Sequence, residues 1–370
     1  MSPILCRQDR AGAGREGRTL VAILFWIVGL GLMGRPFLRA ADTTGWIDWS
    51  AVDRERWSEI DPGRNPETDV PFQVDLADFD ATFAEGLGAT LAQHVEDGLE
   101  KWYATDSPRL KASGVIQLSR LPAGQKQFLA ECAGCHGPEG DGGGPAARYL
   151  EPRPRNFFKG LFKFTSTDTG VRPKRKDLYR TVSRGLSGSA MPPFALMTEE
   201  RRWDIVEYVR FLALRGEFRQ MMLDEAWDRE ELPDGDEIAG IINERWHPSG
   251  LVAVFPSASE PVSDAASIER GRELFLDKSR ATCFTCHGET GRGDGPTAFD
   301  YEDDWGYPIR PRDFTTGVFR VGQEGQDLYM SIATGIGGTP MGSFSHVLEP
   351  REIWDLVHFV QSLGGGRAAQ

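Results

Sequence analysis

The sequence predicts a helical protein in which one unit, two helices bracketing a long Gly- and Pro-rich loop, occurs twice. Three observations carry this expectation: an internal repeat, a helix signal on both sides of each copy, and an intervening stretch too rich in Gly and Pro for regular structure. The first copy reads Cys132-Ala-Gly-Cys-His-Gly-Pro-Glu-Gly-Asp-Gly-Gly-Gly-Pro145, and the second Cys283-Phe-Thr-Cys-His-Gly-Glu-Thr-Gly-Arg-Gly-Asp-Gly-Pro296. Downstream, Pro154-Arg-Asn-Phe157 matches Pro311-Arg-Asp-Phe314, and Gly160-Leu-Phe162 matches Gly317-Val-Phe319. Asp177-Leu-Tyr179 pairs with Asp327-Leu-Tyr329, Met191-Pro-Pro-Phe194 with Met341-Gly-Ser-Phe344, and Trp203-Asp-Ile-Val with Trp354-Asp-Leu-Val. His136 precedes Met191 by 55 residues and His287 precedes Met341 by 54, so spacing is kept as well as identity.

The elements follow in chain order. Residues 1–41 begin with Arg7, Arg10, Arg15 and Arg18, followed by an uncharged apolar run from Leu20 to Met33. That run is 14 residues long, within the length of a signal-peptide core and short of the ~20 needed to span a bilayer. It is read as a secretory signal cleaved near Ala40, with an uncleaved anchor as the alternative; either way the chain is exported. Residues 42–115 match neither copy. Trp46, Trp49, Trp57 and Trp102 argue for order, and Phe83, Leu87, Leu91, Val95 and Trp102 mark one amphipathic helix.

The first unit spans 116–216. Phe128 and Leu129 belong to its opening helix; Thr198 caps a closing helix with Glu199 and Glu200 in its first turn and Trp203, Val206, Val209 and Leu212 on one stripe. Residues 217–262, acidic early and Ser/Pro-rich late, are expected to form a short helix and a linker. The second unit, 263–370, repeats the pattern: Phe275 and Leu276 upstream, then a helix starting at Pro350 with Ile353, Trp354, Val357 and Val360.

The chain of 370 residues carries a formal charge of -13, which argues against nucleic acid and suits redox protein partners with basic docking surfaces. Four of its five cysteines fall in the two C-x-x-C pairs, each followed by His. C-x-x-C-H is the attachment signature of haem c. Two thiols, Cys132 and Cys135 or Cys283 and Cys286, add across the two vinyl groups at one porphyrin edge, and His136 or His287 then falls beneath the iron. The competing readings are a zinc site joining both pairs and a thioredoxin-like redox pair; the adjacent His and the repeated Met fit two covalent haems c better. Met191 and Met341 are the candidates for the sixth iron ligand. A lone Met is usually core filler, but equivalent repeat position and loop context favour ligation. Among the spare histidines, His94 sits beside an apolar stripe, His358 is placed on the polar face of the last helix, and His346 is the alternative ligand nearest Met341. Arg153, Arg155, Arg310 and Arg312 are matched cations, of which Arg155 and Arg312 are singled out to hold haem propionates.

This motif set resembles tandem class I di-haem cytochromes c over roughly residues 115–215 and 265–365. The resemblance implies an all-α fold of two class I cytochrome c domains, here with Gly/Pro-rich loops and an N-terminal, mainly helical extension. It also implies that a proline carbonyl after the haem motif, that of Pro145 or Pro296, fixes the second ring nitrogen of the ligating His. The expected function is electron carriage outside the cytoplasm, in the periplasm, as a shuttle or as a subunit of a respiratory oxidoreductase. The alternative is a haem enzyme, such as a di-haem peroxidase or a thiosulfate-oxidising cytochrome, which needs an open distal position on one haem.

Overall fold

The helices form where the repeat puts them, and each unit closes by crossing its first helix over its last. The computed structural model describes residues 81–229, 231–254 and 259–365; the expected leader and residues 42–80, with Trp46, Trp49 and Trp57, lie outside the described residues. Among the described residues the fold is all-α, with one isolated bridge pair, Glu302 and Pro308, as the sole extended pairing. No described helix is long and apolar enough to cross a membrane.

The predicted extension helix is present as α1 (Ala81–Tyr103). It buries Leu91, Val95, Leu99 and Tyr103, and its Trp102 Nε1 donates to Asp236 at 2.7 Å. A short α2 (Pro108–Ser113) follows. The first unit contains α3 (Leu121–Glu131), the single turn α4 (Ala133–His136), α5 (Arg175–Arg184) and α6 (Glu199–Arg229). After α7 (Gly235–Trp246) the second unit repeats them as α8 (Ala265–Phe275), α9 (Phe284–His287), α10 (Gly325–Thr334) and α11 (Pro350–Leu363).

Helix α3 packs on α6 and α8 on α11. A glycine stands at each crossing because backbone meets backbone there. A Cβ on Gly124 would lie 2.9 Å from the Asp204 carbonyl carbon, and one on Gly271 would lie 2.6 Å from that of Asp355. The expected caps form: Thr198 Oγ1 accepts from Arg201 N, and Pro350 opens α11 behind a capping box of Glu349 and Glu352. Val206, Val209 and Leu212 of α6 are buried as expected, as are Ile353, Trp354, Val357 and Val360 of α11.

Two expectations change. The expected boundary at 216/217 falls inside α6, which continues to Arg229. Gly216 does not end the helix, because it is the spot against which Phe158 packs, with its Cα 2.7 Å from where a Cβ would sit. At the next position, the buried Glu217 accepts from Arg172 (2.9 Å), Arg245 (3.0 Å) and Trp246 Nε1 (2.8 Å), tying α6, α7 and the loop together. Burial on more than one side of α6 follows from α1 and α7 covering it. His358, expected on a polar face, is 1% exposed; α8 covers that face of α11, and His358 Nδ1 meets the hydroxyl of the buried Ser267.

The two units pack directly on each other. Arg184 Nη1 donates to both carboxylate oxygens of Asp327, at 3.0 and 3.1 Å. Thr169 Oγ1 donates to the Thr334 carbonyl at 2.6 Å, and Thr334 Oγ1 to the Thr165 carbonyl at 3.1 Å. Phe164, from the first unit's loop, belongs to the second unit's apolar core, among Phe275, Phe319, Leu328 and Leu356.

Candidate haem sites

Each unit encloses one cleft, and each cleft collects the residues the sequence singled out. Cys132, Cys135, His136, Arg155 and Met191 line the first, which holds about 1270 Å³ of empty space including its mouth. Cys283, Cys286, His287, Arg312 and Met341 line the second, of about 1660 Å³. Both are walled mainly by apolar side chains, among them Phe128, Leu178, Val206 and Val209 in the first and Phe275, Leu328, Leu356 and Val360 in the second. Pro145 and Pro296 line neither.

The C-x-x-C-H segment forms one helical turn because His136 N and His287 N donate back to the Cys132 and Cys283 carbonyls, both at 2.9 Å. The glycine loop then folds back along that turn. Gly142 N donates to His136 O (2.8 Å), Gly144 N to Cys135 O (3.2 Å) and Ala146 N to Gly134 O (3.0 Å). The second unit repeats this with Gly293, Gly295 and Thr297 at 2.8, 3.2 and 3.0 Å. This explains the Gly-Pro pairs: a Cβ on Gly144 would stand 2.6 Å from the Cys135 carbonyl carbon, and one on Gly295 2.7 Å from that of Thr285.

The carbonyl that meets the motif histidine is therefore not that of Pro145. His136 Nδ1 donates to the carbonyl of Arg155 at 3.0 Å, because Pro145 is turned against the back of the haem-motif turn while the Pro154-Arg155-Asn156-Phe157 strip passes beside the imidazole. The Arg312 carbonyl takes the equivalent place in the second unit, and not that of Pro296; there Nδ1 has no partner within hydrogen-bond geometry. With Nδ1 turned to a carbonyl, Nε2 is the nitrogen left to bind a metal. Burial lowers both imidazole pKa values, that of His287 to about 4, so both rings stay neutral as iron ligation requires.

A phenylalanine holds each imidazole flat. Phe157 stacks on His136 with ring centres 5.1 Å apart, and Phe314 on His287 at 4.5 Å. Both belong to the repeated Pro-Arg-Asn/Asp-Phe strip, where Asn156 and Asp313 shape the turn by accepting from the backbone N two residues on. Sequence reasoning took the arginine from this strip and missed the phenylalanine, although the repeat displayed it.

The methionine loops are also duplicated in detail. Leu186 N donates to Met191 O (3.1 Å) and Ile336 N to Met341 O (2.9 Å); Met191 N and Met341 N each donate to a hydroxyl two residues back, at 3.3 Å. Gly185 and Gly335, with φ of 64° and 73°, allow the chain to turn there. The spare histidines do not line either cleft. His94 Nε2 meets the Pro233 carbonyl at 2.8 Å, and the exposed His346 pairs with Asp168 at 2.6 Å. Trp203 and Trp354 pair with the repeated tyrosines, Tyr179 at 4.1 Å and Tyr329 at 4.7 Å.

The competing uses of the cysteines do not fit. The two pairs lie in different clefts, so they cannot share one zinc, and among the described residues no three His, Cys, Asp or Glu side chains converge as a metal site. Burial pushes the Cys132 and Cys283 thiols up to about 12, opposite to the lowered thiol that a thioredoxin-like pair needs. None of the four is in a disulfide.

The sequence profile of the Cytochrome c family matches residues 122–213 and 268–364, more than half of the chain. The chain belongs to the cytochrome c family. It is a tandem member, and as such it binds haem c covalently and transfers electrons. Over 104 residues it is 29% identical to the Cbb3-type cytochrome c oxidase subunit FixP of Azorhizobium caulinodans, an alignment covering 28% of this chain and 30% of that relative. A chain of the Kuenenia stuttgartiensis reducing HAO-like protein complex is 36% identical with a TM-score of 0.53, over 65% of this cytochrome and 95% of that chain. Clefts that each gather two cysteines, a flattened neutral His and a Met fit the family's cofactor.

Proposed function

We propose that this cytochrome carries two haems c, one per cleft, and passes single electrons between redox proteins outside the cytoplasm. The observation that carries this is the convergence in each cleft of two thiols, one neutral imidazole and one thioether. Cys132 and Cys135, with Cys283 and Cys286, would form the thioethers, and His136 with Met191 and His287 with Met341 would hold the two irons. When bound, haem supplies the one-electron iron couple. The protein supplies its setting: apolar walls that exclude water, an imidazole fixed by a backbone carbonyl and a stacked ring, and a soft sulfur ligand that favours the reduced metal. Arg155 and Arg312 on the cleft walls face the propionates.

A residue at both distal positions favours a carrier over an enzyme, which would keep one position open. The domains proposed are two cytochrome units, one beginning at 116 and closing on α6 and one spanning 263–370, with a leader or anchor at 1–41 directing export to the periplasm. Similarity to a subunit of an oxidase and to a chain of a multiprotein complex supports a role as an electron-transfer subunit of a respiratory oxidoreductase. The acidic charge of -13 suits basic docking faces on its partners.

The test is haem content per polypeptide together with magnetic and near-infrared spectra of both ferric haems. Two haems with low-spin His/Met signatures are expected, and Met191→Ala or Met341→Ala should each turn one of them high-spin. One haem per chain, or a high-spin haem that takes up cyanide in the unsubstituted protein, would defeat this reading, the latter in favour of a haem enzyme.

A further inference from the structure

The two clefts meet at one seam. Lys163 and Phe164 of the first unit and Arg320 of the second line both clefts at once. Arg155 stands beside the seam on the first cleft and Arg312 on the second. Among the described residues none of the four cations is in an ion pair. Nη1 of Arg155 and Nε of Arg320 are buried with no hydrogen-bond partner, and Arg312 spends its Nε on the Val318 carbonyl at 2.8 Å. The carboxylates whose fields reach the group, Glu151, Asp303 and Asp304, bond to none of them.

Such a cluster opposes folding on its own account. Burial, then the fields of Arg155 and Arg320, push the Lys163 pKa down to about 8. Burial likewise lowers that of Arg320, with Arg312 adding to it. Half-buried cations that repel each other are normally matched by anions. Here the protein supplies backbone carbonyls to Arg155 and Arg312 but no bonded anion, and the side chains face the two spaces that receive cofactors carrying carboxylates of their own.

Resting on the two-haem reading, we propose that Lys163 and Arg320 form a shared cationic seam that faces the propionates of both haems and sets both reduction potentials together. Uptake of one electron lowers the net charge of a site by one, with no bond made or broken. A cation beside both sites favours the reduced state of each. Charge on one seam residue is therefore felt twice, whereas Arg155 and Arg312 each line one cleft.

The experiment is a spectroelectrochemical titration of both haems in the full-length, haem-loaded chain at low salt, with Lys163→Gln and Arg320→Gln. Each variant is expected to move both reduction equilibria toward the oxidised form by on the order of tenfold, which is ~59 mV for one electron. Lys163→Arg should restore both, and Lys111→Gln, on the surface of α2, should move neither. If both haems are present and either seam variant shifts one potential alone, or none, the shared seam is refuted. If the chain holds one haem, the two-haem reading fails first, and haem content measured on the same samples tells the two failures apart. Should Lys163→Gln not load haem, Arg320→Gln carries the same test from the other unit.

Discussion

Gly271→Ala is the sharpest probe of how the second unit is held closed. The added Cβ would stand 2.6 Å from the Asp355 carbonyl carbon and 2.9 Å from Phe359 Cβ, against the roughly 3.5–4.0 Å at which carbons pack. Helices α8 and α11 must part by about 1 Å, because the obstacle is helix backbone and cannot rotate away. Overpacking of this kind costs about 1–3 kcal/mol, and an unyielding backbone puts it near the upper end. Parting the helices also stretches the Arg270 fork onto Asp355, at 2.7 and 2.8 Å, and the Ser267 hydroxyl's bond to the same carboxylate at 2.7 Å. Helix propensity returns about 1 kcal/mol for Gly→Ala, leaving a net loss of about 2 kcal/mol. Gly240→Ala is the matched control: it lies exposed within α7 with nothing within 4 Å of its would-be Cβ, so it should gain about 1 kcal/mol. Thermal unfolding followed by far-ultraviolet circular dichroism should show Gly271→Ala lower by roughly 4–8 °C and Gly240→Ala higher by roughly 2–4 °C. Equal shifts of the same sign would refute the claim that direct backbone contact at Gly271 fixes the crossing.

Trp305→Ala removes the ring that lies 3.9 Å under the Arg155 guanidinium, a contact worth about 0.5–2 kcal/mol, and frees the residue whose carbonyl holds His136. The first unit's haem should change its magnetic spectrum while the second's does not. Phe164→Ala should cost about 3–5 kcal/mol, with the second haem's near-infrared methionine-ligation band lost before the first's on denaturant titration, because Phe164 is 7% exposed within the second unit's core. For Asp355, burial alone would raise the carboxyl pKa, but the hydrogen bonds from Arg270 and Ser267 outweigh it and hold the group below the ordinary aspartate value. The folded state then binds fewer protons than the unfolded one, so this stabilisation is complete above about pH 4 and is lost as pH falls through the folded-state pKa. Asp355→Asn should flatten the acid limb of a stability–pH curve and leave its slope near neutrality unchanged.

What was legible in the sequence was whatever residue type and spacing determine. Cys-x-x-Cys-His and a Met at nearly constant distance defined both clefts, and Thr198 and Pro350 marked helix starts that the structure contains. Four things were not legible. Which carbonyl faces His136 depends on the path of the loop, and a carbonyl belongs to every residue, so Arg155 could not be told from Pro145 by type. The stacking of Phe157 and Phe314 was visible as repetition, but a repeated Phe reads equally as core. Burial of His358 depends on α8 lying over it, and the continuation of α6 past Gly216 depends on Phe158 needing that space. Each miss came from a long-range contact overriding a local pattern.

Phe164 carries a consequence for how the chain comes apart. It stands at a φ of 60°, a conformation costly for a bulky residue, which persists where surrounding packing over-determines it. That packing belongs to the other half of the molecule. A fragment beginning at the second haem motif would keep its own cysteines, histidine and methionine yet have a hole in its wall. A fragment ending before it would present an apolar ring to water on a strained backbone. The duplicated halves are thus no longer interchangeable parts, and dissecting this cytochrome by cutting between them would measure the damage at the cut as well as the properties of each half.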